Sequence, residues 1–556
     1  MSLKRAGNGH FEAANNLALD LSNKAESPIN FEALCDWMSK YPRIEDGFFL
    51  IKGFKEGFAI PYEGPREECF AHNHKSAMSN PHEIKKKLYK EVSLGRVAGP
   101  FHECPITDLR VSPLGLVPKS EPGEFRMIFD LSFPFGHSVN AGISQEDASV
   151  QYTRFDEIIR LVREEGQGSY LFKLDIKSAF RLIPIHPRDF QLLGMFHNGE
   201  FFIDKCLPFG LSVSCAIFEK FSTFLEWALR QATGSDQIIH YLDDFCGGCK
   251  DQREAQNMLD ISLALFSKLG VPIAEEKVEG PVTSLKFLGL EVDTVNMLVK
   301  LPPDKLSKLK EIVNNFVSKG LVKVRLRELQ SVIGSLSFAC KAIVPGRAFL
   351  RRLIDATSGV RRPFHRIRVT KGMLEDLMVW QTFLSDFNGA SMMIPANIRH
   401  VDLFTDASGA SGFGAYCDGH WVTGQWPDEL HSVVSAKDIT CKELFPIILA
   451  LLVWGIDWAN MRIIFHCDNQ AVVTIINKQT CKQKHTMNLV RLMVTFCLSN
   501  NIVFKAVHVL GVNNGIADAL SRLQLDRFRA LAPSADLDQT PVPERIWRTL
   551  LARLKD

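Results

Sequence analysis

The sequence predicts a multidomain α+β protein, and three observations support that prediction. Its 556 residues are enough for about three or four domains that each bury a hydrophobic core. Short apolar strand patterns end on acids at residues 170–175 and 238–244, and again at residues 401–406 and 462–468. Between these regions, residues 302–355 carry apolar side chains at three- and four-residue steps, which indicates helices.

Composition limits the classes to which the protein can belong. Apolar residues make up 46% of the chain and charged residues 23%, as in ordinary globular proteins. The first fifteen residues contain no apolar segment, so we expect no secretory leader. The longest apolar run, residues 444–456, contains Pro446 and is too short to cross a bilayer, so we expect no membrane association.

The cysteines indicate the compartment. Thirteen of them are scattered along the chain without a framework, which favours a reducing environment and an intracellular protein, in the cytoplasm or the nucleus. Cys246 and Cys249 form a CxxC pair, but no second Cys/His pair lies near them in sequence. We interpret them as core or turn residues and not as a zinc site.

A paired carboxylate, Asp243 and Asp244, lies in an otherwise apolar run over residues 237–248. Apolar residues flank the acids and two glycines follow, which predicts a β-hairpin with the acids at its tip. Adjacent carboxylates repel each other and resist burial, so presenting them together suits a divalent cation. Oxygen ligands of this kind favour Mg²⁺. A solvated Asp-Asp turn is the alternative that this run alone leaves open.

The upstream sequence bears on that choice. A strand pattern ends on Asp175, and a small-residue turn and Phe180 follow it. Residues 207–212, Leu-Pro-Phe-Gly-Leu-Ser, then open a helix predicted over residues 216–229. In this order and at this spacing, the three segments resemble motifs A, B and C of the reverse transcriptase palm. The sequence Tyr-Leu-Asp-Asp is a form of that family's YxDD signature.

The resemblance implies a right-hand polymerase with fingers, a ferredoxin-like palm and a helical thumb. Its substrates would be dNTPs, an RNA template and a DNA primer. Two Mg²⁺ ions, for which Mn²⁺ can substitute, would lie roughly 3.5–4 Å apart in the polymerase site. The implied catalytic and metal-binding residues are Asp175, Asp243 and Asp244. Residues 111–132 resemble the fingers hairpin, in which Lys119 and Arg126 match the contacts to the nucleotide triphosphate.

Further positions match contacts to the nucleotide or the primer. Phe180 matches the aromatic gate that favours deoxynucleotides, and Phe209 can stack on a base or a sugar. Lys277 matches the motif D lysine, a proposed general acid for pyrophosphate, and a surface lysine is the competing interpretation. Residues 284–292, which include Lys286, resemble the primer-grip hairpin.

Charge is distributed unevenly along the chain. The net charge is only +2, but residues 300–371 hold 17 Lys and Arg against 4 Asp and Glu. Such a block is typical of a polyanion-binding surface, although a solvated helix face has the same composition. This region occupies the position of the thumb. Lys308, Arg325 and Arg327 are therefore predicted to contact phosphates of an RNA–DNA hybrid without sequence preference.

Four dispersed acids form a second candidate site. Their order and flanking sequences resemble ribonuclease H, which implies an α/β domain that holds two further Mg²⁺ ions. The implied catalytic and metal-binding residues are Asp406, Glu443, Asp468 and Asp518. Many ribonucleases H carry a His in the loop before the last Asp, but residues 511–515 contain none. His508 is expected on the preceding strand and is assigned no catalytic role.

The resemblance also implies the domain boundaries. The predicted parts are a partly disordered N-terminal extension (1–92), reverse transcriptase fingers and palm (93–299), a thumb (300–355), a connection (356–398), a ribonuclease H domain (399–522) and a C-terminal tail (523–556). A short amphipathic helix is predicted within that tail, over residues 543–554.

The predicted function is that of a retrotransposon enzyme that copies RNA into DNA and degrades the RNA of the hybrid. Residues 54–62 and 93–101 resemble the stretch before the palm in DIRS-type, tyrosine-recombinase retrotransposons. A recombinase or methyltransferase-like module of the element is an expected neighbour. Two alternatives stay open: the polymerase of a gypsy-type element or pararetrovirus, and a decayed or domesticated derivative that binds nucleic acid without catalysis. The oligomeric state also stays open.

Overall fold

The structure, a computed structural model, describes residues 21–119, 123–320, 322–386, 388–391, 400–428, 438–459, 461–500 and 502–555. The chain divides into two compact units: residues 1–288 with 294–296, and residues 289–293 with 297–556. The loose order predicted for residues 1 to about 28 falls mostly on residues 1–20, outside the described residues; within residues 21–28, Ala25 is buried and Ser27 Oγ donates to Leu182 O at 2.6 Å. Both units combine helices with sheets, so the predicted α+β class is confirmed.

The first unit has seven α-helices and twelve strands among its described residues. The helices are α1 (Phe31–Met38), α2 (Ile44–Glu56), α3 (Lys75–Met78), α4 (Pro81–Ser93), α5 (Phe155–Glu165), α6 (Ser214–Thr233) and α7 (Gln252–Leu269). The strands are β1 (Cys69–Phe70), β2 (Val97–Phe101), β3 (Arg110–Val111), β4 (Leu114–Pro118), β5 (Phe125–Phe129), β6 (Tyr170–Asp175), β7 (Gly194–His197), β8 (Glu200–Asp204), β9 (Ile238–Tyr241), β10 (Asp244–Cys249), β11 (Glu279–Val282) and β12 (Ser284–Phe287). The helix predicted over residues 216–229 is α6.

The sheets of the first unit position the predicted site residues. One sheet has the strand order β1-β3-β7-β8-β2, and β4 pairs with β5 in a separate hairpin. Another sheet has the order β11-β6-β10-β9. Helices α6 and α7 pack on this second sheet and on each other, burying Phe218, Phe245 and Phe266. Each buried ring contributes about 1.5–3 kcal/mol. This core therefore holds the sheet edge that carries the predicted carboxylates.

The second unit has ten α-helices and ten strands among its described residues. The helices are α8 (Pro303–Lys319), α9 (Leu326–Ala339), α10 (Arg351–Asp355), α11 (Lys371–Asp386), α12 (Ile439–Trp454), α13 (Gln470–Lys478), α14 (Lys484–Ser499), α15 (Gly515–Ser521), α16 (Leu525–Leu531) and α17 (Glu544–Lys555). The strands are β13 (Leu290–Asp293), β14 (Leu298–Lys300), β15 (Lys323–Arg325), β16 (Arg366–Arg368), β17 (Ala390–Ser391), β18 (His400–Ala407), β19 (Gly412–Cys417), β20 (His420–Gln425), β21 (Arg462–Cys467) and β22 (Val503–His508).

A five-stranded sheet organises the C-terminal part of this unit. Its order is β20-β19-β18-β21-β22, with β18, β21 and β22 parallel and β19 antiparallel to both of its neighbours. Helix α12 packs against β18, β19 and α14 and is buried on nearly all sides, as expected for a helix that is apolar all round. Across the described residues, the structure contains no helix of the length and apolarity needed to span a membrane.

The C-terminal tail belongs to this core. The helix predicted over residues 543–554 is confirmed as α17, which packs on α12 and α14. The Trp547 ring lies 5.9 Å from the Phe413 ring and 6.0 Å from the Phe445 ring, measured between centroids. Trp421 Nε1 also donates to Asp536 O at 2.8 Å.

A helical region precedes the five-stranded sheet and contains the basic block. Helix α8 packs on α11, and Val324 of β15 pairs with Ile367 of β16. Strand β15 lies in the segment predicted as the thumb, and β16 lies in the segment predicted as the connection. Backbone pairing therefore joins these two predicted segments.

Candidate active sites

The paired carboxylate lies at the tip of a tight hairpin. Strand β9 ends at Tyr241 and β10 begins at Asp244, and these two residues form the last register pair. Leu242, in the turn, has a φ of 54°, a left-handed conformation that costs free energy for a side chain of this size. Ile176 N donates to Asp243 O at 3.0 Å, which ties the turn to the neighbouring strand segment. The predicted hairpin with acids at its tip is confirmed.

Strand pairing brings the three acids of the first unit together. Asp175, the last residue of β6, is the direct register partner of Asp244 on β10, next to Asp243. Lys277 Nζ lies 2.8 Å from Asp175 Oδ1, and Lys173 Nζ lies 3.2 Å from Asp244 Oδ1. Two ammonium groups therefore offset part of the repulsion within a cluster of three carboxylates.

Burial dominates the electrostatics of this cluster. It raises the pKa of Asp243, and the charge of Asp175 adds to that rise. Burial also raises the pKa of Asp244, against the opposing effect of Lys173. A divalent cation would favour the ionised carboxylates that burial disfavours. The donor set therefore fits a hard cation with oxygen ligands, which is the chemistry of Mg²⁺.

A cavity of ≈ 430 Å³ lies beside the hairpin of β4 and β5. Three predicted nucleotide contacts line it: Lys119, Arg126 and Phe209. Lys119 Nζ lies 2.6 Å from Glu124 Oε2, and this hydrogen bond lowers the pKa of the Glu124 carboxyl. The volume and the cationic wall suit a triphosphate.

Of the two predicted aromatic nucleotide contacts, Phe209 lines this cavity, and Phe180 packs behind it. The Phe180 ring centroid lies 4.9 Å from that of Phe209 and 5.4 Å from that of Phe218, and Phe180 is 9% exposed. The gate and core interpretations of Phe180 thus describe the same packed ring. Gly210, at φ 107°, is required because a Cβ there would lie 2.2 Å from Phe129 O.

The second group of acids converges in the C-terminal part of the second unit. Strands β18 and β21 are parallel neighbours, and Asp406 and Asp468 lie at their carboxyl ends. Glu443 projects from the N-terminal half of α12. Ligand atoms of Glu443, Cys467 and Asp468 all lie within 4.8 Å of one another. Residues that are distant in sequence therefore share one site.

Glu443 is the most perturbed acid of this group. Burial raises its pKa to about 9, and the charges of Asp406 and Asp468 add to the rise. Among the described residues, nothing donates a hydrogen bond to its buried Oε2. A buried carboxylate oxygen without a donor is costly, and a cation would supply the missing partner. The donor set therefore fits a divalent cation here as well.

Asp518 lies on α15 and is held by two arginines. Arg522 Nε and Arg527 Nη1 each donate to one of its carboxylate oxygens at 2.6 Å. Burial raises the pKa of Asp518, but these two hydrogen bonds outweigh it and lower the pKa overall. Burial raises the pKa of Asp406, and the charges of Asp468 and Asp518 add to it. Asp518 is therefore electrostatically coupled to the cluster.

Residues 117–292 match the family model described as reverse transcriptase (RNA-dependent DNA polymerase). The matched segment contains the carboxylate cluster of Asp175, Asp243 and Asp244 and the cationic hairpin. This segment is a reverse transcriptase domain.

Two of the curated proteins that are similar to this chain are polyproteins. The Transposon Tf2-3 polyprotein of Schizosaccharomyces pombe is 24% identical over 377 residues, which is 66% of this chain and 25% of that polyprotein. The Gag-Pro-Pol polyprotein of Human T-cell leukemia virus 3 is 27% identical over 224 residues, 39% of this chain and 15% of that polyprotein. The chain thus spans a quarter or less of these relatives.

A solved structure is also similar to this chain. It is the foamy viral protease-reverse transcriptase dRH in complex with ds DNA, with 16% sequence identity and a TM-score of 0.48. The similarity covers 86% of this chain and 82% of that chain.

Sequence reasoning missed several charged residues that line the cavity beside the hairpin of β4 and β5. Lys87 and Lys90 of α4 line the same cavity as the predicted triphosphate contacts. Arg181 is nearly buried, with Nε 3.1 Å from Glu91 and Nη2 2.8 Å from Asp204. The lysine-rich stretch of α4 and the acid that ends the apolar strand β8 were the signals that could have revealed them.

The predicted duplex contacts lie on two different units. Lys286 is exposed on β12 of the first unit. Lys308 is exposed on α8 and, with Phe338 of α9, lines a groove of ≈ 320 Å³ in the second unit. Arg325 and Arg327 are exposed where β15 meets α9. Their predicted role as phosphate contacts stays a prediction.

Two further residues lie beside the second carboxylate group. His508 ends β22, as predicted, and its Nε2 lies 3.0 Å from Asp468 O. Cys467, which sequence reasoning missed, places its Sγ among the acids, and burial raises the pKa of its thiol.

Proposed function

We propose that the protein is an RNA-directed DNA polymerase that also cleaves the RNA strand of an RNA–DNA hybrid. The observation that carries the polymerase half is the register pairing of Asp175 with Asp244, beside Asp243, within the reverse transcriptase domain. The nuclease half rests on the convergence of the acids around Glu443. The substrates would be dNTPs, an RNA template, a DNA primer and their hybrid.

In the polymerase site, Asp175, Asp243 and Asp244 would hold two Mg²⁺ ions. When bound, such a pair activates the primer 3′-hydroxyl and stabilises the leaving pyrophosphate. Lys119 and Arg126 bind the triphosphate oxygens, Lys119 as a point charge and Arg126 as a fork. Both residues line the same cavity, so they could contact one triphosphate together.

Lys277 supplies the proton in this proposal. Its hydrogen bond to Asp175 raises the pKa of the ammonium, so the group stays protonated at neutral pH. From this position beside Asp175, the ammonium would donate its proton to the departing pyrophosphate. Phe180 limits the space beside the nucleotide sugar from its packed position against Phe209.

In the nuclease site, two further Mg²⁺ ions would be held by Asp406, Glu443, Asp468 and Asp518. When bound, they activate a water and stabilise the leaving oxygen of the RNA strand. Glu443 must first lose its proton, because its pKa is raised to about 9. Arg522 and Arg527, which both donate to Asp518, would supply guanidinium groups for a phosphate of the hybrid.

We further propose that the chain comes from a DIRS-type retrotransposon. The support is the resemblance of residues 54–62 and 93–101 to the stretch before the palm in that group. An adjoining tyrosine-recombinase reading frame would agree with this assignment. An adjoining integrase frame would favour a gypsy-type element instead.

A primer-extension gel tests the proposed function. It uses a 5′-labelled RNA template, a differently labelled DNA primer, dNTPs and Mg²⁺. The wild-type protein is compared with Asp243→Asn and Asp468→Asn, which are matched isosteric changes in the two carboxylate groups. We expect extension to be lost only in Asp243→Asn and template cleavage to be lost only in Asp468→Asn.

Two outcomes of this gel would contradict the proposed function. A wild-type protein that binds the hybrid but neither extends nor cleaves, in Mg²⁺ or in Mn²⁺, would be a domesticated nucleic-acid-binding protein. Loss of both activities in each single variant would show that the two carboxylate groups are not independent sites.

A further inference from the structure

The second unit contains a cavity of ≈ 700 Å³ that none of the predicted metal ligands lines. Helices α11 and α14 form its main walls, with Phe349, Arg352 and Arg553 completing them. Small-molecule sites typically enclose about 300–1,000 Å³, so this cavity is large enough for a ligand of nucleotide size.

Positive charge dominates the lining. The cationic residues are Arg352, Lys371, Lys484, Arg491 and Arg553, and the acidic residues are Glu375 and Asp376. Lys371 and Lys484 are exposed, whereas the Arg491 side chain is only 11% exposed. With five cationic and two acidic side chains, the lining as a whole carries excess positive charge.

One buried carboxylate serves two guanidiniums. Asp376, 1% exposed, accepts from Arg352 Nη1 at 3.0 Å, and its other oxygen lies 3.5 Å from Arg491 Nη2. Arg352 Nη1 also donates to Gly372 O at 3.0 Å, which fixes its position. Arg352 Nη1 also lies 3.7 Å from Glu375 Oε2, so the excess positive charge of the lining comes from its other cations, Lys371, Lys484 and Arg553.

The buried donors are also incompletely satisfied. Arg491 Nε donates to Ala348 O at 3.2 Å and Nη1 donates to Asn488 Oδ1 at 2.9 Å, so the guanidinium is held in place. Its Nη2 makes only the 3.5 Å ion pair with Asp376 Oδ2, and the Nδ2 of Asn488, a residue 5% exposed, has no hydrogen-bond acceptor in the described part of the chain. Both residues line the cavity. A ligand with acceptor oxygens would accept hydrogen bonds from these donors, and its negative charge would offset the positive charge of the lining.

We propose that this cavity binds phosphoryl groups at a site separate from the polymerase and nuclease centres. Phosphoryl oxygens accept hydrogen bonds without donating, and a fixed guanidinium binds them through two parallel N–H groups. The exposed lysines then add point charges around the same ligand. A free polyphosphate and the backbone of a nucleic acid strand present the same chemistry, and the experiment separates these two sources.

Binding of two probes to the full chain in EDTA tests the proposal. The probes are inorganic tripolyphosphate, followed by calorimetry, and a fluorescein-labelled single-stranded oligonucleotide with a 5′-hydroxyl, followed by anisotropy. All proteins carry Lys119→Ala and Arg126→Ala, so that the nucleotide cavity does not contribute. The test variant adds Lys371→Ala and Lys484→Ala. The control adds Lys40→Ala and Lys52→Ala, which remove the same charge from exposed positions of the first unit.

We expect the test variant to bind tripolyphosphate about tenfold more weakly than the control. If oligonucleotide binding falls as well, the site takes backbone phosphates; if it does not, the site takes free polyphosphate. Equal affinities of the test variant and the control for both probes would overturn the proposal.

A second variant tests the buried part of the cavity. Asn488→Asp keeps the acceptor for Arg491 Nη1 but replaces the side-chain NH₂ group with a carboxylate oxygen. We expect it to weaken tripolyphosphate binding at least tenfold while the urea midpoint stays the same or rises. An unchanged affinity would show that the buried donors do not face the ligand and would overturn this part of the assignment.

Discussion

Asp175 and Asp244 face each other directly across β6 and β10, so two carboxylates of the proposed polymerase site occupy one cross-strand pair. Like charges placed opposite each other destabilise a sheet. Lys277 and Lys173 offset part of that repulsion from the two sides. The reverse transcriptase domain therefore retains a local electrostatic cost at its site, as expected where stability and function are in conflict.

The first prediction concerns the electrostatic cost of the ionised Asp243 carboxylate in the folded protein. Burial and the charge of Asp175 raise the pKa of Asp243, so the folded state disfavours the ionised carboxylate at neutral pH. We expect Asp243→Asn to raise the free energy of unfolding in EDTA by about 1 kcal/mol while it abolishes primer extension. Urea unfolding measures the first effect, with Asp236→Asn, at an exposed position, as the control. A variant less stable than wild type would contradict the argument.

The second prediction concerns His240, which links β9 to α6. Its Nδ1 lies 2.5 Å from Glu226 Oε2, and its Nε2 lies 3.2 Å from Glu219 Oε1. Burial lowers the pKa of His240, but the two glutamates outweigh burial and raise it to about 9. The folded pKa thus exceeds the ordinary histidine value of 6.5. The stabilisation is therefore complete below about pH 6.5 and is lost as the pH rises through about 9.

We accordingly expect His240→Gln to lower the free energy of unfolding by about 3 kcal/mol at pH 6 and by much less at pH 9.5. Urea unfolding at the two pH values measures the difference. The exposed His82→Gln serves as the control and should change neither value. A cost that is equal at both pH values would mean that packing, and not charge, accounts for the effect of His240.

The hairpin of β9 and β10 could be predicted because its determinants are local. Apolar residues lead up to Asp243, glycines follow Asp244, and a two-residue turn fixes the register of the two strands. The pairing of this hairpin with the strand that ends at Asp175 required the family resemblance. Strand patterns alone do not specify which distant strand becomes a neighbour.

Contacts between distant elements escaped prediction. Arg181 pairs with Glu91 and Asp204, and Trp547 packs on Phe445, which is far from it in sequence. Each partner, taken alone, has the pattern of an ordinary surface charge or an apolar helix face. Their roles follow from the packing of several elements, for which a local pattern carries no signal.

The third prediction concerns the basic block. We expect reversal of Lys308, Arg325 and Arg327 to Glu to weaken binding of an RNA–DNA hybrid and to flatten its salt dependence. Each lost phosphate contact lowers the slope of log K against log salt by about 0.9, as in duplex DNA. Anisotropy titrations at several salt concentrations measure both effects.

The control for this experiment reverses three exposed lysines of the first unit, Lys40, Lys52 and Lys268. Both triple variants change the net charge equally, so a difference between them isolates the position of the charges. Identical affinities and slopes in the two variants would show that the basic block is a solvated helix face.

The fourth prediction links metal binding to pH through Glu443. Its pKa is raised from 4.5 to about 9, first by burial and then by Asp406 and Asp468. The folded state therefore keeps a proton that the unfolded state releases, and metal-free stability should fall as the pH rises from about 4.5 to 9. Cation binding requires the carboxylate form, so its affinity should rise over the same range.

We expect Mg²⁺ to raise the Tm more at pH 8.5 than at pH 6, measured in the Asp243→Asn background to silence the polymerase site. Adding Glu443→Gln should raise the metal-free Tm at pH 8.5, remove most of the Mg²⁺-induced rise and abolish RNA cleavage. Glu544→Gln, at an exposed position of α17, should change none of these. If Mg²⁺ raises the Tm by the same amount with and without Glu443→Gln, the cation binds at another site. The raised pKa of Glu443 would then reflect burial in the core and not preparation of a metal site.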